Sequence, residues 1–290
     1  MKLSTPAGQI TKYYEDGEKC LGSKDYSNAL KCFKKAADQG HALAQNYMGL
    51  LYARKLGVPQ DFKKAEYWFR QSAEQGEPMA QNNLGLMYAR GEGVAQDYHQ
   101  AAEWLLKAAE QGNSEAQYNL GFMYAKGQGV PQDDEQAVHW FRKAAEQGDE
   151  VAQYNLGFMY EKGIGIAQDY QQAVFLYSMA AGQGSADAAL NLGGLYDSGE
   201  GVEQDYKQAV NWWKKAAEKG HAVAQNNLGL MYAQGLGVSQ DYIEAYKWFA
   251  LSSMGGEERA FNGLKTAESL MTEEEISEAK ELVEEWKSSH

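Results

Sequence analysis

The sequence has few of the residues that brace small secreted domains or interrupt helices. Only 2 of its 290 residues are cysteines, Cys20 and Cys32, so disulfides are not the framework of this fold. We expect both to be small buried apolar residues, and a bridge between them is the alternative interpretation. The 4 prolines suit a mostly helical chain, because proline disrupts helix interiors.

Long apolar runs and an excess of positive charge are also missing. No stretch approaches the roughly 20 apolar residues of a membrane span, so we predict no membrane insertion. The segment from Met1 to Gln9 lacks the apolar core of a secretory signal. The chain as written is therefore expected in the cytoplasm, or in the periplasm or outside the cell if a signal peptide has been removed. The net charge of −13 repels phosphates, which argues against nucleic acid as a partner.

Glycine, in contrast, is abundant, and its spacing reveals an internal repeat of 36 residues. One series is Gly40, Gly76, Gly112, Gly148, Gly184, Gly220 and Gly256, and a second is Gly57, Gly93, Gly129, Gly165, Gly201 and Gly237. Tyrosine follows the same step at Tyr52, Tyr88, Tyr124, Tyr160, Tyr196 and Tyr232, and aspartate at Asp61, Asp97, Asp133, Asp169, Asp205 and Asp241. A period of this size indicates stacked supersecondary units.

The unit from 113 to 148 predicts two helices. Residues 114–126 place Ala116, Leu120 and Tyr124 on one face at helical spacing, and Gly121 lets another helix approach. A glycine-rich loop follows.

The second helix of this unit covers about 134–147. Asp133 is its expected N-cap, with Gln136 three residues on as in a capping box. The residues expected to face inward are Ala137, Trp140, Phe141, Ala144 and Ala145. Gly148 is expected to end the helix in the left-handed region.

These units predict an all-α fold, a right-handed α/α superhelical solenoid of stacked helix-turn-helix repeats. A helix pair of this size cannot bury its apolar face alone, so neighbouring pairs must stack. We assign 1–40 to an N-terminal capping helix pair, 41–256 to six tandem repeats and 257–290 to C-terminal capping helices. Thr272 is the expected N-cap of the last helix, with Glu275 at its third position. All three regions form one continuous domain.

The unit A-Q-[NY]-N-L-G-x-M-Y-x-x-G-x-G-V-x-Q-D-Y-x-x-A-x-x-W-x-x-K-A-A-E-Q-G resembles the Sel-one-like repeat family, relatives of the tetratricopeptide repeats. This resemblance implies an adaptor that holds a protein or peptide on a concave face lined by the first helix of each pair. Some Helicobacter-type members have cysteine pairs within repeats and have been linked with penicillin binding. The matching positions here are alanines such as Ala109 and Ala116, which argues against transferring that activity.

No catalytic, cofactor or metal signature is visible in the sequence. There is no Gly-Lys-Ser/Thr phosphate loop, no His-Glu-x-x-His and no Gly-x-Ser-x-Gly. The five histidines are scattered and are interpreted as surface or capping residues. We therefore predict a non-enzymatic, monomeric scaffold without cofactor. The alternatives are a cell-wall or β-lactam-active enzyme of the Helicobacter cysteine-rich type and a self-assembling structural array.

The aromatic residues on the first helices of the third and fourth repeats are the best candidates for partner binding. They are Tyr118, Phe122, Tyr154 and Phe158. Exposed aromatic side chains in a groove commonly anchor protein interfaces. Gly194 removes a side chain where neighbouring repeats have Phe or Leu, which predicts a notch. The alternative is ordinary variation among residues that the repeat tolerates.

Two polar rows complete the predicted site. Asn119, Asn155 and Asn191 belong to a row of amides that either hydrogen-bond an extended peptide or fix the stacking of helices. Lys126 and Lys162 continue a cationic row that begins with Arg54 and Arg90. The row either clamps acidic groups of a ligand or satisfies the dipole at each helix C-terminus, and the dipole interpretation is favoured.

Overall fold

The computed structural model describes residues 7–289, and this part of the chain consists of helices and their connections. It forms two compact units, the first extending to Asp149 and the second beginning at Glu150. Unit 1 contains α1 (Ala7–Gly22), α2 (Tyr26–Ala37), α3 (Ala42–Ala53), α4 (Phe62–Ala73), α5 (Pro78–Arg90), α6 (Tyr98–Glu110), α7 (Ser114–Lys126) and α8 (Asp134–Glu146). Unit 2 contains α9 (Glu150–Lys162), α10 (Tyr170–Gln183), α11 (Ala186–Ser198), α12 (Tyr206–Ala217), α13 (Ala222–Gln234), α14 (Tyr242–Met254), α15 (Ala260–Ser269) and α16 (Glu273–Ser289).

Within each unit, every first helix packs on the second helix of its repeat, which packs on the next first helix. The predicted all-α fold of stacked helix pairs is confirmed. Residues 1–6, which include most of the segment inspected for a secretory signal, lie outside the described residues, as does residue 290.

Each second helix from α4 to α14 begins directly after the repeated aspartate. Asp133 is extended, and its carboxylate accepts a hydrogen bond of 3.0 Å from the backbone N–H of Gln136. The same cap forms at Asp61, Asp97, Asp169, Asp205 and Asp241. The predicted N-caps are therefore confirmed. The backbone N–H of Asp133 donates to the carbonyl of Tyr124 at 3.0 Å, so the loop closes back on the first helix instead of completing a capping box.

Within each unit, the repeated loop glycine brings its loop against the preceding repeat, at Gly57, Gly93 and Gly129 in unit 1 and at Gly201 and Gly237 in unit 2. Gly129 has a φ of 71°, and a Cβ atom added there would lie 2.0 Å from the carbonyl oxygen of Tyr98. Both its backbone conformation and the close approach thus require glycine. Gly148 follows α8 with a φ of 90°, as predicted for the end of that helix.

A second glycine, in the middle of each first helix, lets the two helices of a pair approach closely. A Cβ atom at Gly121 would lie 2.9 Å from Cδ1 of Phe141, which confirms the predicted close approach. The five α8 residues expected to face inward are all buried. In every repeat, the first-helix glycine lies against a large side chain of the second helix. The pairs are Gly17–Phe33, Gly49–Phe69, Gly85–Leu105, Gly121–Phe141, Gly157–Tyr177, Gly193–Trp213 and Gly229–Phe249. The first helix pair therefore packs in the same way as the later ones.

Buried glutamines, which the sequence interpretation missed, join consecutive helices. The Gln81 amide donates to the carbonyl of Ala73 at 3.2 Å, and its oxygen accepts from the Gln111 amide at 2.7 Å. Three helices, α4, α5 and α6, are connected through this one side chain. The free-energy cost of burying this polar side chain is offset because both ends of its amide are hydrogen-bonded. Gln45, Gln81, Gln117, Gln153 and Gln225 are buried at this position in their repeats.

The C-terminal helices pack against α14. Glu275 accepts from the backbone N–H of Thr272 at 2.7 Å, and the Thr272 hydroxyl accepts from the backbone N–H of Glu275 at 3.2 Å. This reciprocal pair is a complete capping box, as predicted. Ala279 and Val283 bury the apolar side of α16.

The two cysteines are free thiols in α1 and α2. Both are partly exposed, which differs from the expectation that they are buried apolar residues. The antiparallel helix pair brings them together at one side of unit 1. Burial, and then the neighbouring Cys20, raises the pKa of the Cys32 thiol.

Candidate functional site

The predicted binding residues of unit 1 lie on α7. Tyr118 is half-buried, with its ring centroid 5.8 Å from that of Phe141, and burial followed by the charge of Asp149 raises its pKa. Phe122 differs, because 40% of its surface is exposed. The ammonium of Lys126 lies 5.8 Å from the centroid of the Phe122 ring. Tyr118 thus forms a packed base, and Phe122 offers free apolar surface beside a cation.

The asparagines of unit 1 form a ladder across the first helices. The Asn83 amide donates to the Asn46 side-chain oxygen at 3.0 Å, and the Asn119 amide donates to that of Asn82 at 3.3 Å. Asn46 and Asn82 are buried, whereas Asn83 and Asn119 are half-buried. The Asn119 amide therefore fixes the stacking of α7 on α5, which supports the second of the two interpretations of this row.

A cavity of about 320 Å³ lies on the first helices α3 and α5 of unit 1. Its walls combine apolar side chains with two guanidinium groups and two carboxylates. The lining residues are Leu50, Ala53, Arg54, Gln60, Phe62, Phe69, Asn83, Leu86, Met87, Arg90, Glu92 and Glu115. The sequence interpretation placed Leu50, Leu86 and both arginines in the groove rows, but the cavity itself depends on how α3 and α5 stack.

In unit 2, the counterpart of Phe122 is Phe158 on α9, with 38% of its surface exposed. The Lys162 ammonium lies 5.9 Å from the Phe158 ring centroid and also forms an ion pair with Glu161. The Asn155 amide donates to the carbonyl of Val151 at 2.7 Å, within its own helix. The aromatic group and the cation thus recur in unit 2, but here the cation has an acidic partner.

Glu161, three residues after Phe158 on α9, belongs to a hydrogen-bonded cluster with Tyr177 and Asn191. The Tyr177 hydroxyl donates to Glu161 at 2.7 Å and accepts from the Asn191 amide at 3.1 Å. Burial, and then the bond to Glu161, raises the pKa of Tyr177. Tyr154 packs 5.8 Å from the Tyr177 ring, and burial followed by Asp187 raises its pKa. Asn191 is therefore engaged in positioning α11 against α10.

Gly194 on α11 faces open space. A Cβ atom added there would meet no atom within 4 Å, in contrast to its neighbour Gly193, where one would lie 2.5 Å from the Trp213 ring. Gly193 permits close packing of helices, whereas Gly194 leaves its part of the surface without a side chain. The notch itself stays a prediction.

Two acids in unit 2 were missed by the sequence interpretation. Glu161 and Asp197 stand at a repeat position that is otherwise alanine, namely Ala53, Ala89, Ala125 and Ala233. Departure from the repeat was the available signal. Burial raises the pKa of Asp197.

The described residues contain no group of three or more His, Cys, Asp or Glu side chains able to hold a metal ion. Two histidines act as helix caps, as expected. The Nδ1 atom of His41 accepts from the backbone N–H of Ala44 at 3.2 Å, and that of His221 accepts from Ala224 at 3.4 Å. His99 and His139 are exposed. Over residues 7–289, no helix has both the length and the apolar character needed to cross a membrane.

The fold is that of an all-α protein built from stacked helix-pair repeats. The chain belongs to the Sel1 repeat family, whose profile matches residues 7–41, 42–77, 78–113, 114–149, 151–185, 186–221 and 222–257. The resemblance inferred from the sequence is confirmed, and the first helix pair is among the matched repeats. Proteins of this family generally serve as non-enzymatic scaffolds that bind protein partners.

Several solved structures are similar to this chain. A Sel1 repeat protein from Oxalobacter formigenes is 37% identical, covering 83% of this chain and 99% of its own, with a TM-score of 0.74. A protective antigen of uropathogenic Escherichia coli strains, c5321, is 26% identical over 97% of this chain and 92% of its own, with a TM-score of 0.48. Cysteine rich protein B of Helicobacter pylori is 26% identical over 44% of this chain and 92% of its own, with a TM-score of 0.37. No curated protein matches the chain.

Proposed function

We propose that this chain is a non-enzymatic scaffold that binds a segment of another protein on the first helices of its units. The observation that carries the proposal is the exposure of Phe122 in unit 1 and Phe158 in unit 2, 40% and 38% of their surfaces. Removing a large aromatic side chain from water lowers the free energy of the complex and so favours binding. Such residues dominate the energetics of protein interfaces.

One helical turn before each exposed ring is a tyrosine that packs against the second helix. Tyr118 in unit 1 and Tyr154 in unit 2 are half-buried against second-helix rings, with 5.8 Å between ring centroids in both cases. A preorganised surface loses little side-chain entropy on binding. The proposed binding residues are Tyr118, Asn119, Phe122 and Lys126 in unit 1, and Tyr154, Asn155, Phe158, Lys162, Asn191 and Gly194 in unit 2.

The partner class follows from charge and chemistry. A net charge of −13 opposes nucleic acid, and we expect no cofactor to be needed for binding. Binding depends on apolar anchors with amide and ammonium groups beside them, a mixture that suits polypeptide.

The aromatic anchors are tested by Phe122→Ala and Phe158→Ala, made singly. Each change removes apolar contact area and is expected to weaken partner binding by about 2 kcal/mol, roughly thirtyfold. The partner is first isolated by cross-linked pull-down from the native source and then purified. Its affinity is measured by isothermal titration calorimetry, and far-ultraviolet circular dichroism verifies the helical content of each variant.

Matched controls are Tyr67→Ala in unit 1 and Phe175→Ala in unit 2. Both side chains are exposed, 53% and 58% respectively, but they lie on the second helices α4 and α10. These controls should bind like the original protein. Full affinity in both anchor variants, or equal losses in the controls, would contradict the assignment to the first helices.

A further inference from the structure

The first helices of unit 1 end in a row of exposed cations. Arg54, Arg90 and Lys126 occupy the same repeat position at the ends of α3, α5 and α7. Neither guanidinium forms an ion pair or a side-chain hydrogen bond with another residue in 7–289, and the ammonium of Lys126 lies over the ring of Phe122. In unit 2, by contrast, Lys162 is paired with Glu161. We call Arg54, Arg90 and Lys126 the cation row.

The helix dipole accounts for a cation at a helix C-terminus, but it does not account for the cavity beside this row. Arg54 and Arg90 line the 320 Å³ cavity together with the side chains of Leu50 and Leu86. The cavity therefore combines apolar walls with guanidinium groups that retain all their side-chain donors.

Two carboxylates also face this cavity. Glu92 lies in the loop after α5, and Glu115 lies in the first turn of α7, where the helix dipole favours an acid. Arg54, in contrast, is the C-cap residue of α3, and Arg90 is the last residue of α5. Neither acid forms an ion pair with an arginine of the cation row among residues 7–289, so both guanidinium groups stay available to a ligand.

We propose that the cation row binds an extended acidic peptide segment whose carboxylates recur at about every third residue. This inference rests on the proposed function and specifies its partner. A peptide in the polyproline II conformation has three residues per turn and rises about 3.1 Å per residue, so every third side chain lies on one edge. One turn of about 9 Å then matches the roughly 8–10 Å between packed helices, and one repeat corresponds to three peptide residues. An apolar side chain between two carboxylates enters the cavity. Guanidinium groups suit this ligand because they bind carboxylates through paired hydrogen bonds.

Charge makes this recognition selective. With a net charge of −13, the protein as a whole repels acidic peptides, so attraction is confined to the cation row. Carboxylates that are out of register with the row gain no contact and still suffer that repulsion. Added salt is expected to weaken the in-register complex, because the charges are exposed.

The experiment begins with selection of a random displayed peptide library on the immobilised full chain. Enriched peptides should carry Asp or Glu at every third position with Leu, Ile or Phe between them. A fluorescein-labelled peptide with this pattern is then compared with a scrambled peptide of equal composition by fluorescence anisotropy. A single-stranded oligonucleotide of similar charge serves as a second polyanion.

The variants are Arg54→Glu and Arg90→Glu, with Arg54→Gln and Arg90→Gln as milder changes, each verified by circular dichroism. Each reversal should weaken the patterned peptide roughly tenfold or more, the effect of one charge-assisted contact. Lys63→Glu is the matched control, because Lys63 is an exposed cation on α4 outside the cation row. A peptide with lysine in place of glutamate should regain binding to the Arg54→Glu, Arg90→Glu double variant.

The outcomes separate this inference from the proposed function. A contrary outcome is the enrichment of neutral or basic peptides whose binding is lost in Phe122→Ala but kept in Arg90→Glu. That result would overturn the inference of an acidic ligand and leave the proposed scaffold function standing. Enrichment of no peptide would count against both. Equal affinity for the scrambled peptide, or tighter binding of the oligonucleotide, would show nonspecific attraction of anions and overturn the inference.

Discussion

At the scale of single residues, two glycines at the middle of first helices have very different surroundings in this protein. Gly49 lies in the middle of α3, where a Cβ atom would be 2.5 Å from two ring atoms of the buried Phe69. Gly194 lies in the middle of α11, where a Cβ atom would touch nothing within 4 Å. Both glycines lower the intrinsic stability of a helix. Only Gly49 has a packing reason for this cost.

We expect Gly49→Ala to destabilise the protein by about 1–2 kcal/mol, because overpacking against Phe69 outweighs the gain in helix propensity. The measurement is urea unfolding followed by circular dichroism. Gly194→Ala is the control and should stabilise the protein by up to about 1 kcal/mol. A stabilising effect of both changes would show that Phe69 moves aside at little cost.

At the scale of helices, each repeat is connected to its neighbours by polar contacts as well as by apolar packing. Gln81 on α5 joins the last carbonyl of α4 to the Gln111 amide at the end of α6. Removing such a side chain leaves buried polar partners unsatisfied, which costs more than the bonds themselves contribute. The asparagine ladder connects α3, α5 and α7 in the same unit.

Gln81→Ala is therefore expected to destabilise α4, α5 and α6 by about 1–3 kcal/mol. Hydrogen exchange measured by mass spectrometry should show lost protection concentrated in these helices, because repeat proteins unfold locally. Gln100→Ala is the matched control, since the Gln100 amide bonds only to Glu103 of the same helix, at 3.1 Å. Protection lost uniformly through all repeats would contradict the local role of Gln81.

At the scale of the whole molecule, the dominant property is its acidity. The chain of 290 residues carries a net charge of −13, which favours solubility and opposes association of identical copies. The C-terminal helices α15 and α16 cover α14 and expose mainly polar residues. A covered end removes the apolar surface through which repeat arrays would otherwise associate.

We predict that the chain is a monomer of 32.2 kDa in size-exclusion chromatography with light scattering. The mass should stay constant over a range of protein concentrations at physiological salt. A repeat at high salt is the control, because screening removes charge repulsion and leaves only apolar association. A mass that rises with concentration at physiological salt would favour the self-assembling alternative.

Much of the fold was predictable because its determinants lie within one repeat. The aspartate caps depend on a side chain and backbone groups two or three residues away, and they formed as predicted. The close approach at Gly121 was predictable from its place on the apolar face. The reciprocal half of the capping box at Asp133 was not, because the loop turns the Asp133 N–H toward Tyr124.

The candidate site was less predictable. Periodicity placed Tyr118 and Phe122 on the same helix, but packing leaves only Phe122 strongly exposed. Asn119 and Asn191 were candidates for peptide binding, and the amides of both donate to other side chains of the protein. These contacts join different helices, so a pattern within one helix could not reveal them.

The sequence by itself determined the repeat, the positions of helix ends and the family, because backbone hydrogen bonds and steric limits act over a few residues. Only the tertiary structure decided which polar groups are already paired, where the cavity between α3 and α5 opens, and that Arg54 and Arg90 have no acidic partner among the described residues. Those properties arise from contacts between repeats, such as the close approach of Gly129 to Tyr98 and the hydrogen bond from Gln81 to Ala73, which no pattern within one repeat reveals.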